Sequence, residues 1–290
     1  MNFAVIGSTG QLGRDIVPRL AKMGQVTGLA RPDADLTHPD RLAATLQQLK
    51  PDVVVNCAAY NFVDKAESEP DAAFAANAWG PRELAKTCHR LGITLVHFST
   101  DYVFGLDTAR TTPYRTCDAP GPTSVYGMSK LCGEYGVRAE CNQHYVIRTC
   151  GLYGVWGSGG KGGNFVETML RVATQGKPLK VVADQFCTPT YTADLADAVV
   201  SLIQTGKYGL YQITSGGSMS WFEFAHAIFE LTGISANLSQ TTSQEYAAAA
   251  RRPGYSVMDN SDLVAAGVTA PRHWREALAA YLAERNQKKN

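Results

Sequence analysis

The chain has 290 residues, of which 45% are hydrophobic and 18% charged, and its formal charge is +1 at pH 7. That length and apolar content exclude a disordered chain and allow one large domain or two joined ones. A near-neutral balance without a basic stripe excludes an electrostatic footprint for nucleic acid.

Met1 and Asn2 lead directly into a short apolar run and then glycines, so no export signal is expected. No apolar stretch approaches the roughly 20 residues that cross a bilayer. Seven scattered cysteines, an odd number with no metal-ligand spacing, read as reduced thiols. The expected location is the cytoplasm, without membrane or nucleic-acid partners, and no bound metal is expected.

Apolar runs at 3–6, 26–30, 53–56, 94–99 and 145–148 predict strands. Helical patterns at 15–23, 41–49, 71–91 and 129–140 lie between them. Such alternation is the signature of βαβ units and a parallel sheet. After Arg148 the pattern changes to a Gly-rich stretch at 157–163, read as a mobile loop. A helix at 164–175, a strand at 179–182, a helix at 192–205 and a strand at 210–213 follow, and then helices at 221–231, 243–249 and 275–285. The predicted fold class is α/β, a Rossmann-type doubly wound parallel sheet with a smaller, partly interleaved C-terminal substrate lobe. Residues 1–150 would form the dinucleotide-binding domain, with a later contribution near 188–205, and 151–290 mainly the substrate lobe.

The first strand runs into Gly7-Ser8-Thr9-Gly10-Gln11-Leu12-Gly13, which opens the first helix. Glycines there permit a tight turn and close approach to a pyrophosphate, and the helix N-terminus offers free N–H groups. Gly7, Thr9, Gly10, Gln11, Leu12 and Gly13 are therefore candidate cofactor residues. At the end of the second strand, where an acid usually binds a ribose hydroxyl, this chain has Arg31. An arginine suits the 2′-phosphate of NADP, so NADP(H) is preferred and NAD(H) possible, with a surface ion pair as the alternative.

Tyr126 and Lys130 in Tyr126-Gly127-Met128-Ser129-Lys130 share one helix face. A neighbouring ammonium and the positive charge of an oxidised nicotinamide favour phenolate, which would bring the phenol towards a working range for acid-base chemistry. Lysine can also hold a nicotinamide ribose. Thr100, in Ser99-Thr100-Asp101-Tyr102-Val103-Phe104, ends the fourth strand at the crevice edge, where its hydroxyl would polarise a carbonyl or simply cap a turn.

With these elements in order, the chain resembles the extended short-chain dehydrogenase/reductase superfamily and, within it, the dTDP-4-dehydrorhamnose reductase family. The stretches that carry the closer resemblance are 63–70, 99–104, Tyr126 to Lys130 with Gly133-Glu134, Arg148-Thr149, Asn164-Phe165 with 168–171, Asp184-Gln185 with Pro189-Thr190, and Arg252-Pro253 with Ser256. The resemblance implies reduction of the C4 ketone of a dTDP-activated 6-deoxy sugar, dTDP-4-dehydrorhamnose to dTDP-rhamnose. It implies Thr100, Tyr126 and Lys130 as catalytic residues, and Asp101, Tyr102, Asn164 and Arg252 as holding the nucleotide sugar. Asp35, Leu36, Ala58, Ala59, Tyr60 and Asn77 would join the cofactor set. The plainer readings are a helix cap for Asp35, tight packing for the alanines, a helix-surface polar group for Asn77 and surface charge for Arg251 and Arg252. A homodimer is compatible with the resemblance.

The chain departs from that pattern at Arg148-Thr149-Cys150-Gly151-Leu152-Tyr153, where the family usually reads Arg-Thr-Ser-Trp-x-Tyr. Gly151 would leave a void in the sugar pocket, and Trp156 is the expected substitute. Cys187 stands in place of a family glycine, and Gly105 also departs from the family pattern. These departures keep two other readings open. One is another nucleotide-sugar epimerase or reductase. The other is a non-catalytic NADP-binding subunit similar to the regulatory subunit of methionine adenosyltransferase.

Overall fold

The computed structural model describes residues 1–31, 33–157 and 163–289; residues 158–162 of the Gly-rich stretch, read as a mobile loop, lie outside them. In chain order the strands are β1 (Asn2–Ile6), β2 (Gln25–Leu29), β3 (Val53–Asn56), β4 (Thr94–Thr100), β5 (His144–Thr149), β6 (Leu179–Val182), β7 (Phe186–Cys187), β8 (Gly209–Gln212), β9 (Met219–Ser220) and β10 (Leu238–Thr241). The helices are α1 (Gln11–Leu20), α2 (Pro39–Leu49), α3 (Val63–Ala66), α4 (Pro70–Phe74), α5 (Gly80–Leu91), α6 (Val125–Glu140), α7 (Phe165–Thr174), α8 (Thr192–Thr205), α9 (Trp221–Thr232), α10 (Ser243–Tyr246), α11 (Ser261–Ala265) and α12 (Trp274–Lys289).

Six strands form one parallel sheet in the order β2-β1-β3-β4-β5-β8. Its central strands are unbroken apolar runs, such as the fully buried Val53-Val54-Val55-Asn56, because helices cover both faces. Ile16, Leu20, Leu195, Val199 and Leu263 pack on one face, from α1, α8 and α11. Leu42, Leu46, Leu84, Cys88 and Val137 pack on the other, from α2, α5 and α6. Each such side chain contributes about 1.5–3 kcal/mol on burial. A separate core joins α7, α9, α12 and β6 around Tyr153, Phe224 and Tyr281. The strand order reverses between β1 and β3, which places a ligand crevice at the carboxyl ends there.

Some elements differ from the sequence expectation. β8, expected with the substrate lobe, is hydrogen-bonded to β5 in the main sheet. The helix expected over 71–91 is broken into α4, a π-helical turn at Ala75–Trp79 and α5. α6 begins at Val125, because Ser124 caps it by accepting from the Gly127 N–H at 3.2 Å, so Tyr126 lies in its first turn. Among the described residues, no helix is long and apolar enough to cross a membrane.

Candidate active site

The carboxyl ends of β1, β3, β4 and β5 open into a cavity of about 970 Å³. Gly7, at φ 76°, makes the turn out of β1, and the Gly10 N–H closes it on Gly7 O at 3.0 Å. No side chain caps α1, so its first-turn N–H groups lie open where Gly10, Gln11 and Leu12 line the cavity. Gly13 does not line it. A Cβ there would stand 2.2 Å from Gly7 O, so this glycine lets the helix close onto the turn.

Arg31, Asp35, Leu36, Ala58, Ala59 and Tyr60 continue the wall. Asp35 Oδ1 accepts from Thr37 N at 2.9 Å and Thr37 Oγ1 at 2.7 Å, a local Asx turn rather than a cap of α2, whose N-cap is His38. Partial burial works to raise this carboxyl, but the two Thr37 donors and the nearby His38 and Arg31 hold it below the usual range. Asn77 stands behind the wall, buried and outside the cavity lining. It clamps Tyr60 through N–H and carbonyl at 2.9 Å each, and donates to Ser129 Oγ at 3.0 Å. It lies within a π-helical turn and is buried, not on a helix surface. Open helix N–H groups at one end and an arginine at the other fit the pyrophosphate and ribose phosphate of a dinucleotide.

Thr100, Tyr126 and Lys130 meet on the opposite wall. Lys130 is 3% exposed, and its Nζ donates to Phe98 O at 2.6 Å. Burial pulls its ammonium down to about 8, while Glu134 one turn on works in the other direction. Glu134 is itself paired, through a buried two-pronged contact with Arg148 at 2.8 Å and 3.0 Å. The protein's own groups do not lower the Tyr126 phenol. Burial pushes it up, the Asp101 charge adds to that, and only a hydrogen bond with Thr100 opposes it. The phenol therefore carries its proton at neutral pH, as a proton donor must. Its hydroxyl also lies 3.5 Å from Asn61 Oδ1.

The residues expected at the substrate end all line the cavity, yet each is already engaged. Asp101 is 3% exposed; its Oδ1 accepts from Thr100 Oγ1 at 3.1 Å, and its Oδ2 from Ser256 Oγ at 2.7 Å and Cys150 Sγ at 3.2 Å. Tyr102 sits edge-on to Tyr126, with ring centres 5.6 Å apart. Asn164 caps α7 by accepting from Glu167 N at 3.0 Å, and donates to Gln11 Oε1 and Gly154 O. Arg252 donates to Asp64 Oδ2 at 2.8 Å and borders Tyr102, whereas Arg251 is exposed.

Gly151 lines the cavity, and part of the space beside it is taken by another aromatic ring. A Cβ there would stand 3.0 Å from Trp221 Cη2, and Trp221 lines the cavity beside Phe165, with ring centres 4.7 Å apart. Trp156, the expected substitute, lies elsewhere: its Nε1 donates to Asp15 Oδ1 at 2.9 Å, and its ring meets Lys288 and Arg14. The sequence reading missed Trp221, Asn61 and the partnership of Ser256 and Cys150 with Asp101. Trp221 had a signal, because Ser220 and Glu223 form a capping box that places it at the start of α9. Among the described residues, no group of three or more His, Cys, Asp or Glu side chains is arranged to hold a metal ion.

Residues 1–287 match the family model described as the RmlD substrate binding domain. The chain is 40% identical over 283 residues to the spore coat polysaccharide biosynthesis protein SpsK of Bacillus subtilis, covering 97% of each. It is 42% identical over 282 residues to a dTDP-4-dehydrorhamnose reductase of Streptomyces griseus, covering 94% of this chain and 90% of that one. Among solved structures, a dTDP-4-dehydrorhamnose reductase of Bacillus anthracis in complex with NADP is 36% identical with a TM-score of 0.92, covering 98% of this chain and 99% of that chain.

Proposed function

This chain belongs to the RmlD substrate binding domain family, and from that premise we propose that it is an NADPH-dependent reductase of dTDP-4-dehydrorhamnose. One observation carries the reading: Thr100, Tyr126 and Lys130 line the same cavity as an uncapped helix N-terminus. NADPH, when bound, supplies the hydride. Tyr126 delivers the proton to the ketone oxygen, from a phenol that burial keeps neutral. The N–H groups of Gln11 and Leu12 hold the pyrophosphate, and Arg31 takes the ribose phosphate. Lys130 is held beside Tyr126 by Phe98 O, with its charge directed to the cofactor's ribose.

Trp221 and Phe165 give the sugar pocket its aromatic wall, and Arg252 faces the diphosphate. Residues 151–290 contribute most of this side, while α8, β8 and α11 return to the dinucleotide domain. The alternative of a binding subunit rested on the missing pocket tryptophan. That support weakens because Trp221 occupies the space at Gly151. As an enzyme of nucleotide-sugar synthesis, the protein works in the cytoplasm on a small activated sugar.

The test is loss of NADPH absorbance on a freshly made dTDP-4-dehydro-6-deoxy sugar. Tyr126→Phe is expected to lower kcat by about 10²–10⁴, the usual contribution of a positioned proton donor, with NADPH still bound. A variant that keeps wild-type kcat would remove Tyr126 from the reaction.

A further inference from the structure

Trp156, the expected occupant of the sugar pocket, is not among the described residues that line the cavity. It lies against α1 instead, and two side chains of that helix meet it. Asp15 Oδ1 accepts from its Nε1 at 2.9 Å, and the Arg14 guanidinium stands 5.4 Å from its ring centre. Lys288 of α12 also faces the ring, with Nζ 3.6 Å from the centre.

Both residues of α1 lead on to the cofactor end of the cavity. Arg14 Nε donates to Thr9 O at 3.0 Å, inside the glycine turn. Asp15 is buried one helical turn beyond Gln11, and its other oxygen accepts from Thr192 Oγ1. Gln11, which lines the cavity, grips the same segment: its Nε2 donates to Leu152 O at 3.0 Å, and its Oε1 accepts from Asn164 Nδ2 at 3.2 Å. The fit is close, because a Cβ at Gly154 would collide with Thr192 Oγ1 and stand 3.3 Å from Asp15 Oδ2. A carboxylate one turn from the open N–H groups opposes a pyrophosphate by its charge, so where that charge is held matters to the ligand.

We infer that Trp156 is a positioning residue for the dinucleotide: it fixes Asp15 and Arg14, and through them the glycine turn and the first turn of α1. The tryptophan that follows the departure at Gly151 thus serves the cofactor and not the sugar. The inference rests on the reading of the α1 N-terminus as the NADPH site. A tryptophan that only filled space would change stability and leave cofactor affinity untouched.

Calorimetric titration of NADPH into the ligand-free protein reads the effect without turnover. Trp156→Phe keeps an aromatic ring for Lys288 and Arg14 and removes the N–H. Its Kd for NADPH is expected to rise about fivefold, the order of effect that residues outside a ligand's contacts exert. Steady-state rates should show the same split. KM for NADPH rises by that factor, while KM for the nucleotide sugar and kcat at saturating NADPH stay within about twofold. In an Asp15→Ala background, Trp156→Phe is expected to add less than about twofold, because the acceptor it served is gone. An unchanged Kd, a raised KM for the sugar, or a loss that adds in full to that of Asp15→Ala would overturn the inference. Wild-type protein that binds no NADPH would contradict the reading of the site, and the inference with it. A binding parent with an equally binding variant contradicts the inference alone.

Discussion

Inside the cavity wall, Lys130 keeps 3% of its surface exposed and has one backbone oxygen, Phe98 O, at 2.6 Å. Desolvation therefore outweighs the nearby Glu134 charge, and the ammonium is pulled down from its ordinary value to about 8. The sign is direct: the charged form dominates below that value and is lost above it. If the ammonium is the working form, kcat/KM falls through a limb centred near pH 8, and Lys130→Met, with no proton to lose, lacks that limb. A profile in which the alkaline limb is the same in both proteins would show that another group titrates.

Single residues were read from sequence with uneven success, and the reason is physical. Tyr126 and Lys130 were legible because spacing of four fixes them on one helix face. The direction of the Tyr126 shift was not, because spacing reports the partner but not the desolvation, and desolvation is the larger influence here. Asp101 was legible as part of a motif, whereas its donors Cys150 and Ser256 come from 49 and 155 residues away.

Among the elements, β1 to β6 and β8 were legible because each holds a short apolar run bounded by glycines or polar residues, whereas β7 and β9 are two residues long and β10 is largely polar, so they left no such mark. The π-helical turn at Ala75–Trp79 was not legible either, since widening one helical turn leaves no mark in hydrophobic periodicity. Asn77 lies in that turn, and its burial was not legible in the pattern.

At the exit of β5, Gly151 has φ 50° and faces both Trp221 Cη2 at 3.0 Å and Pro189 Cα at 3.2 Å. Gly151→Ala should therefore cost about 1–2 kcal/mol for the left-handed backbone, with the aromatic contact adding to it. Urea denaturation would measure this, and a variant as stable as the parent would show that the α9 end is free to move away.

At the scale of the whole molecule, a parallel sheet with both faces covered supplies the crevice, and a second core around Tyr153, Phe224 and Tyr281 closes it. With a formal charge of only +1, positive potential in the molecule is local, and the cavity lining holds an uncapped helix N-terminus, Arg31 and Arg252. The overall architecture was legible from alternation alone. The return of β8 to the main sheet was not, because a short apolar strand does not declare which sheet it joins.

The central claim is a net reduction, in which hydride enters the sugar and stays there. The most direct measurement supplies NADPH deuterated at the transferred position, with a dTDP-4-dehydro-6-deoxy sugar, and locates the label in the product by mass spectrometry and proton NMR. A reductase places one deuterium per product at C4, with NADPH consumed in equal amount. An altered sugar that carries no label, with NADPH left unspent, would contradict it and make the site that of an epimerase.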